Sequence, residues 1–304
     1  SAVIEKKGRE SGVGRWIEVK MLPLSFREFV ALKGIPVPES DIFRFLKGRK
    51  PFHFTSDDLR EFRSIWSKDR VGIVALANAL EIPFQEYLLK GGIPEVTFLD
   101  STLEIQRLLR EDVAEKVLYR DMAVLYGVRN LLILEQLFLH IAYNTGQVLS
   151  TESLSKQLGI SRGAVYDYIR YLENAFLITT ARNYAGSPAK ILRSRMKAYV
   201  TDIGVRNAVA LKGNEVLSQP AELGLIVETL AFNSLANYAS SEGGRCYYWR
   251  EAEGVEVDVV VRIGGHLLPV ETKYKTDIAA RDTKPMEKFM ERFKVEGSLG
   301  ELVC

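Results

Sequence analysis

Apolar residues spaced three and four apart mark a long run of helices, and a period of two appears at a few short stretches, most clearly near residue 260. The first helix is predicted over 25–32, opened by a capping box in which Ser25 precedes Glu28 by three positions; Pro36 and Pro38 end the helical pattern. Helices are predicted over 41–47, 56–66 and 71–80, with Asp57 and Asp58 favouring the positive N-terminal pole of the second. In 86–94, E-Y-L-L-K-G-G-I-P, a helix stops at Gly91-Gly92, and 101–126 reads as one long amphipathic helix.

The middle of the chain repeats the helical pattern with a different ending. An apolar helix covers 131–141, Ser150 or Thr151 caps a second, and Leu158-Gly159-Ile160-Ser161 is a tight turn before a third helix over 162–173. Helix, turn, and a helix rich in Arg and Tyr is the layout of a helix-turn-helix. Val165, Ile169 and Leu172 face inward in this reading, and Arg162, Tyr166 and Arg170 share the outer face. Strands over 176–181 and 191–200 then pair as a wing, with Arg193, Arg195 and Lys197 alternating along one strand face and Arg182 and Lys190 near its loop. No acidic residue lies between Glu173 and Asp202. Asp202 caps a short helix over 202–211, and a loop runs on through Pro220.

The last hundred residues bring in strands. A helix over 223–237 carries Glu228, and a short aromatic strand covers 245–250, with Tyr248 and Trp249 read as core. Two strands over 256–274 meet at a hairpin turn, because Gly264-Gly265 accepts the positive φ such turns demand. Val255, Val257, Val259 and Val261 alternate with Glu256, Asp258, Val260 and Arg262. Glu271 and Lys273, two apart on the return strand, leave the same face. A helix over 282–293 and a strand beginning near 299–304 complete the order.

Composition narrows the classes. With 304 residues there is room for two or three domains, and a net charge of +2 leaves any nucleic acid to a local basic patch. The two cysteines, Cys246 and Cys304, match no metal spacing and fit a reducing compartment, so a cytoplasmic protein is expected. No apolar run is long enough for a bilayer, since Glu135, Gln136 and His140 interrupt the nearest one, and the expectation is no membrane partner. Gly8 to Arg15 evokes a phosphate loop but lacks the Lys-Ser/Thr that must come after its last glycine; a flexible loop and a strand over 16–21 are expected instead.

The pattern D-x12-E-x-K across the hairpin, Asp258 to Lys273, resembles the PD-(D/E)XK nuclease-like superfamily, the fold of restriction endonucleases. G-L-I-V-E, Y-Y-W-R, V-E-V-D and P-V-E-T-K-Y in order resemble more closely the C-terminal domain of a prokaryotic AAA-type ATPase family that carries a winged helix before it. L-P-L-S-F-R-E-F and Y-L-L-K-G-G-I-P resemble that family's end of the ATPase core and the stretch after it. The resemblance implies an α/β multidomain chain in three parts. Residues 1–127 are the end of an AAA-type core and its helical lid, 128–202 a winged helix-turn-helix, and 203–304 a restriction-endonuclease-like α/β domain. It implies that Asp258 and Glu271 hold Mg2+, that Glu228 completes the metal shell, and that Lys273 orients the attacking water or neutralises the transition state. Arg15 matches an arginine near the family's nucleotide site. Without a Walker A lysine, ATP is expected only in a longer protein carrying the P-loop.

The expected function is the C-terminal part of an AAA-type ATPase with an Mg-dependent nuclease-like domain acting on or binding DNA. Two other readings stay open: a non-catalytic DNA- or protein-binding module, with a protein partner at the winged helix, and an ATP-driven regulator. Taken singly, each acid or amine reads as a solvated surface group, and Glu271 with Lys273 as an ordinary surface pair worth little.

Overall fold

The computed structural model describes residues 21–41, 44–45, 56–251, 254–275, 279–294 and 301–303. Outside the described residues lie the loop expected at 8–15 with Arg15, the strand expected at 16–21 apart from Met21, and part of the helix expected at 41–47.

The capping box is present: the Ser25 backbone N–H donates to Glu28 Oε2 at 2.8 Å, and the Glu28 N–H to Ser25 Oγ at 3.4 Å, opening α1 (Phe26–Leu32). Helix α2 is Ser56–Lys68. Helix α3 (Arg70–Lys90) runs through Pro83 and so joins the two helices expected at 71–80 and before Gly91. The long helix α4 spans 102–126, with a wider, π-type middle over Leu108–Asp121. Helix α5 (Leu131–Tyr143), strand β1 (Val148–Leu149), α6 (Thr151–Leu158) and α7 (Arg162–Asn174) come next. Gly159, at φ 65°, makes the left-handed stop between α6 and α7, and Ser161 caps α7 by accepting from Ala164 N–H. Val165, Ile169 and Leu172 are buried, as their spacing predicts.

Strands β2 (Ile178–Arg182) and β3 (Met196–Val200) pair antiparallel, and β1 lies on the other side of β3. The expected strand at 191–200 is only half there. Residues Pro188–Arg193 form a helix, α8, because proline in the first turn presets a helical φ and needs no donor there. Arg193 therefore lies on α8, Arg195 on the link to β3, and Lys197 inside the strand. Every residue of β3 is buried, since both faces of the strand are covered.

Helix α9 (Ile203–Val209) is the junction of the molecule. Its cap, Asp202, accepts from Val205 N–H at 2.9 Å and, across 110 residues, from Gly92 N–H at 2.7 Å. Arg206, with no exposed surface, donates to the Ala142 carbonyl at 3.1 Å and binds Glu222. Asn207 donates to the carbonyls of Leu88 and Leu89, closing the end of α3. Burial pushes the Asp202 carboxyl up to about 6, although three backbone N–H groups pull the other way. The approach is close enough to demand glycine: a Cβ on Gly204 would sit 1.9 Å from the Lys90 carbonyl oxygen. Gly204→Ala is expected to lower unfolding free energy by about 2–3 kcal/mol in urea titrations, the cost of overpacking a site walled by backbone. The Gly91-Gly92 stop thus serves close packing as well as ending α3.

One apolar cluster runs from Val96 through Leu109, Leu134 and Ile169 to Ala208, across residues 127 and 202. The C-terminal unit begins with α10 (Pro220–Ser241) and a sheet of four strands in the order β4 (Arg245–Arg250), β5 (Glu256–Ile263), β6 (His266–Thr272) and β7 (Glu301–Val303). The first three are antiparallel; β7 lies parallel to β6, after α11 (Lys284–Phe293). The sheet is packed on one side by a cluster with α10 and on the other by one with α11. Tyr199 of β3 stacks on Phe232 of α10 at 3.9 Å, and the Tyr184 N–H donates to the Tyr248 carbonyl at 2.7 Å, so the two sheets are stitched together.

Candidate active site

Strand β5 departs from strict alternation. Tyr247 faces Val260 but Trp249 faces Val257, so Asp258 and Val259 together stand against Tyr248. This β-bulge shifts the phase: Val257 and Val260 join the α11 side, Val259 and Val261 the α10 side. A bulge re-aims a side chain, here Asp258. On the other flank Val259 pairs with Val270, and the next step of that ladder sets Asp258 beside Glu271. The Thr272 N–H donates to Asp258 Oδ2 at 2.8 Å. Lys273, just past β6, binds Glu271 Oε1.

These groups share a cleft of about 460 Å³. Glu256, Asp258, Glu271 and Lys273 line it, and Arg281, Lys284 and Lys288 bring cations from the α11 side. The structure thus brings Asp258, Glu271 and Lys273 together. Sequence reasoning missed Glu256 as a member; its place two residues before Asp258, on a strand, was the available signal. Glu228 is not among the residues lining the cleft. Its Oε1 accepts from Lys197 Nζ at 2.9 Å and from the Tyr199 hydroxyl at 3.1 Å.

The carboxyls are poorly accommodated as ions. Burial raises Glu271 to about 7, the Asp258 charge adds to this, and Lys273 opposes it. Burial also raises Asp258, against the Thr272 N–H and Lys273. Burial works against the Lys273 charge as well, but its bond to Glu271 and the Asp258 charge outweigh it and hold the ammonium above its usual value. Glu271 is only 4% exposed, and its Oε2 is buried with no hydrogen-bond partner. A hard divalent ion satisfies such oxygens. Among the described residues no group of three or more His, Cys, Asp or Glu side chains is placed to hold a metal ion. What speaks for an ion is the bare Glu271 oxygen beside Asp258; Glu228, bound by Lys197 and Tyr199, does not line the cleft, although the Asp258 charge reaches it and raises it.

The expected basic face is rearranged. Arg162, Tyr166 and Arg170 are exposed on α7, with Arg162 paired to Glu152 at 2.8 Å and Arg170 to Asp167 at 2.9 Å. Lys190 and Arg193 are exposed on α8, and Arg195 just beyond it; Arg193 and Arg195 line a second cleft with Ser150 and Arg250. Arg182 donates to the Ser194 carbonyl at 2.9 Å. Lys197 does not belong to this face. It is 2% exposed, with Nζ 2.9 Å from Glu228 Oε1 and 2.5 Å from Glu256 Oε1, so it offers nothing to a phosphate outside. Among the described residues no helix is long and apolar enough to cross a membrane.

Comparison with known proteins adds two matches of unassigned role. The family described as a domain of unknown function, DUF8612, matches residues 82–216. The domain of unknown function DUF4143, often found with AAA-type ATPase domains, matches residues 223–303. An uncharacterized protein of Methanocaldococcus jannaschii is 24% identical over 303 residues, 97% of this chain and 59% of that protein. An uncharacterized protein of Haemophilus influenzae is 22% identical over 289 residues, 92% of this chain and 59% of that protein. One from Mycobacterium tuberculosis is 26% identical over 193 residues, 61% of this chain and 42% of that protein. The chain thus spans 59% of the length of the first two relatives. No solved structure matches it.

Proposed function

We propose that the C-terminal unit is a PD-(D/E)XK nuclease-like module that hydrolyses phosphodiesters of DNA with a divalent ion, Mg2+ by the chemistry of its oxygen ligands, and that residues 128–202 are a winged helix that engages the duplex. The observation that carries this is the meeting of Asp258, Glu271 and Lys273 in one cleft, together with a buried Glu271 oxygen that has no hydrogen-bond partner and with three cations in the lining. When bound, the ion lowers the pKa of a water and offsets phosphate charge. Asp258 and Glu271 hold it. Lys273 keeps its charge and stabilises the charge that builds on the phosphate. Arg281, Lys284 and Lys288 bind the flanking phosphates. Residues 1–127 then belong to the AAA-type core and lid of a longer, ATP-hydrolysing protein.

The test uses the purified 304-residue chain with single-stranded, duplex and structured DNA plus Mg2+ or Mn2+, beside Asp258→Ala and Lys273→Ala. Cleavage by the parent chain alone supports the reading; equal cleavage by all three proteins defeats it.

Metal binding carries its own pH signature. Glu271 keeps a proton up to about pH 7, and the ion must displace it. Mn2+ affinity by calorimetry is expected to rise about tenfold per pH unit below about 7 and to level off above. Without metal the sign reverses for stability. The unfolded carboxyl ionises at its ordinary value of 4.5 and the folded one near 7, so this group's contribution to stability falls as pH rises between them.

For the winged helix, Arg162→Ala with Arg170→Ala is expected to weaken duplex binding about tenfold and to make the salt dependence shallower by about two units of log–log slope. Unchanged affinity and slope would remove α7 from the interface.

A further inference from the structure

The acids around the cleft divide into two sets by what already holds them. Glu256 has a cation on each oxygen, Lys197 Nζ at 2.5 Å from Oε1 and Arg250 Nε at 3.4 Å from Oε2. Glu228 has Lys197 and the Tyr199 hydroxyl on Oε1, and the backbone closes over it at Gly146, where an added Cβ would lie 3.2 Å from that oxygen. Lys197 itself is sealed between them, 5.4 Å from the centre of the Tyr248 ring. Asp258 and Glu271 share Lys273, the Thr272 N–H donates to Asp258 Oδ2 and the Lys197 charge also reaches Asp258, but neither carboxylate is paired directly with Lys197, and one Glu271 oxygen has no partner.

We propose that Lys197, delivered by β3 of the central unit, takes the place of a second cation in this cluster, so that the cleft loads one divalent ion on Asp258 and Glu271 and not two. The inference rests on the metal-dependent reading of the cleft. One divalent ion added to two carboxylates and the Lys273 ammonium leaves that group positive by one charge, beside the further cations Arg281, Lys284 and Lys288, the sign a phosphodiester needs. A second ion would find no carboxylate free of a counter-charge. Lys197 is then a positioning residue: it keeps Glu228 and Glu256 in ion pairs of their own, and it is brought there by β3, docked on α10. The central unit, on this account, completes the site of its neighbour.

The experiment counts ions. The 304-residue chain is titrated with Mn2+ by calorimetry, with free Mn2+ followed by electron paramagnetic resonance. The parent chain is expected to bind one ion, Lys197→Met two, and Glu228→Gln one with affinity within about twofold of the parent. Two ions on the parent chain, one on a folded Lys197→Met chain, or loss of binding in Glu228→Gln would each overturn the proposal. If Lys197→Met does not fold, as judged by its thermal melt, the parent count and Glu228→Gln decide alone. A parent chain that binds no ion rejects the metal-dependent reading itself, an outcome distinct from a wrong count.

Discussion

Lys197→Ala is expected to lower the unfolding free energy by about 3–5 kcal/mol, the cost of leaving buried charge without its partner. Burial works against the Lys197 ammonium, and the Glu228 and Glu256 carboxylates outweigh it, holding the group above its usual value. Removing it strands Glu228, which burial already pushes up. The loss is therefore expected to be larger at pH 8 than at pH 5, where protonation of Glu228 relieves the stranded charge. Urea unfolding at the two pH values measures this. Lys197→Met combined with Glu228→Gln and Glu256→Gln should recover most of the stability, since a buried ion cluster replaced by neutral groups of similar size is often tolerated. A Lys197→Ala chain within about 1 kcal/mol of the parent would mean that water reaches the two carboxylates, against the burial of Lys197 between them.

Asp258→Asn is expected to reduce DNA cleavage by at least about a thousandfold, equivalent to about 4 kcal/mol of transition-state stabilisation. The same substitution keeps an oxygen for the Thr272 N–H and removes a carboxylate that burial disfavours. Its melting temperature is accordingly expected to equal or exceed that of the parent, the trade of stability for function typical of a site built from crowded charge. Lost cleavage together with a lowered melting temperature would point to a structural role for Asp258, and the metal assignment would then lose its main support.

Local rules made much of the chain legible. Ser25 with Glu28, the Gly159 turn, the inward spacing of Val165, Ile169 and Leu172, and the Gly-Gly hairpin after Ile263 each act over a few residues, and each is found where the spacing puts it. Asp258, Glu271 and Lys273 were legible for the same reason: one hairpin register brings them together. The failures come from partners far along the chain. Arg193, Arg195 and Lys197 look like an exposed stripe because nothing near them is acidic. Glu228 neutralises Lys197 from 31 residues away, on another helix. The helix at Pro188–Arg193 interrupts the strand that the stripe required, because proline's effect on a first turn outweighs a weak alternation. The bulge at Asp258 was equally hidden, being a property of how β5 meets β4 and not of β5 alone.

Helix α9 bears on how this molecule can be divided. Arg206 has no surface of its own and is shared by Ala142 on one side and Glu222 on the other, while Asp202 clasps the turn at Gly92. Severing the polypeptide just before residue 202 would leave one half with a guanidinium still held by Glu222 but stripped of the Ala142 carbonyl and of its cover, and the other with a pair of glycines with nothing to close on. A fragment meant to stand alone should therefore keep the end of α3, α5, α9 and the start of α10 in one piece.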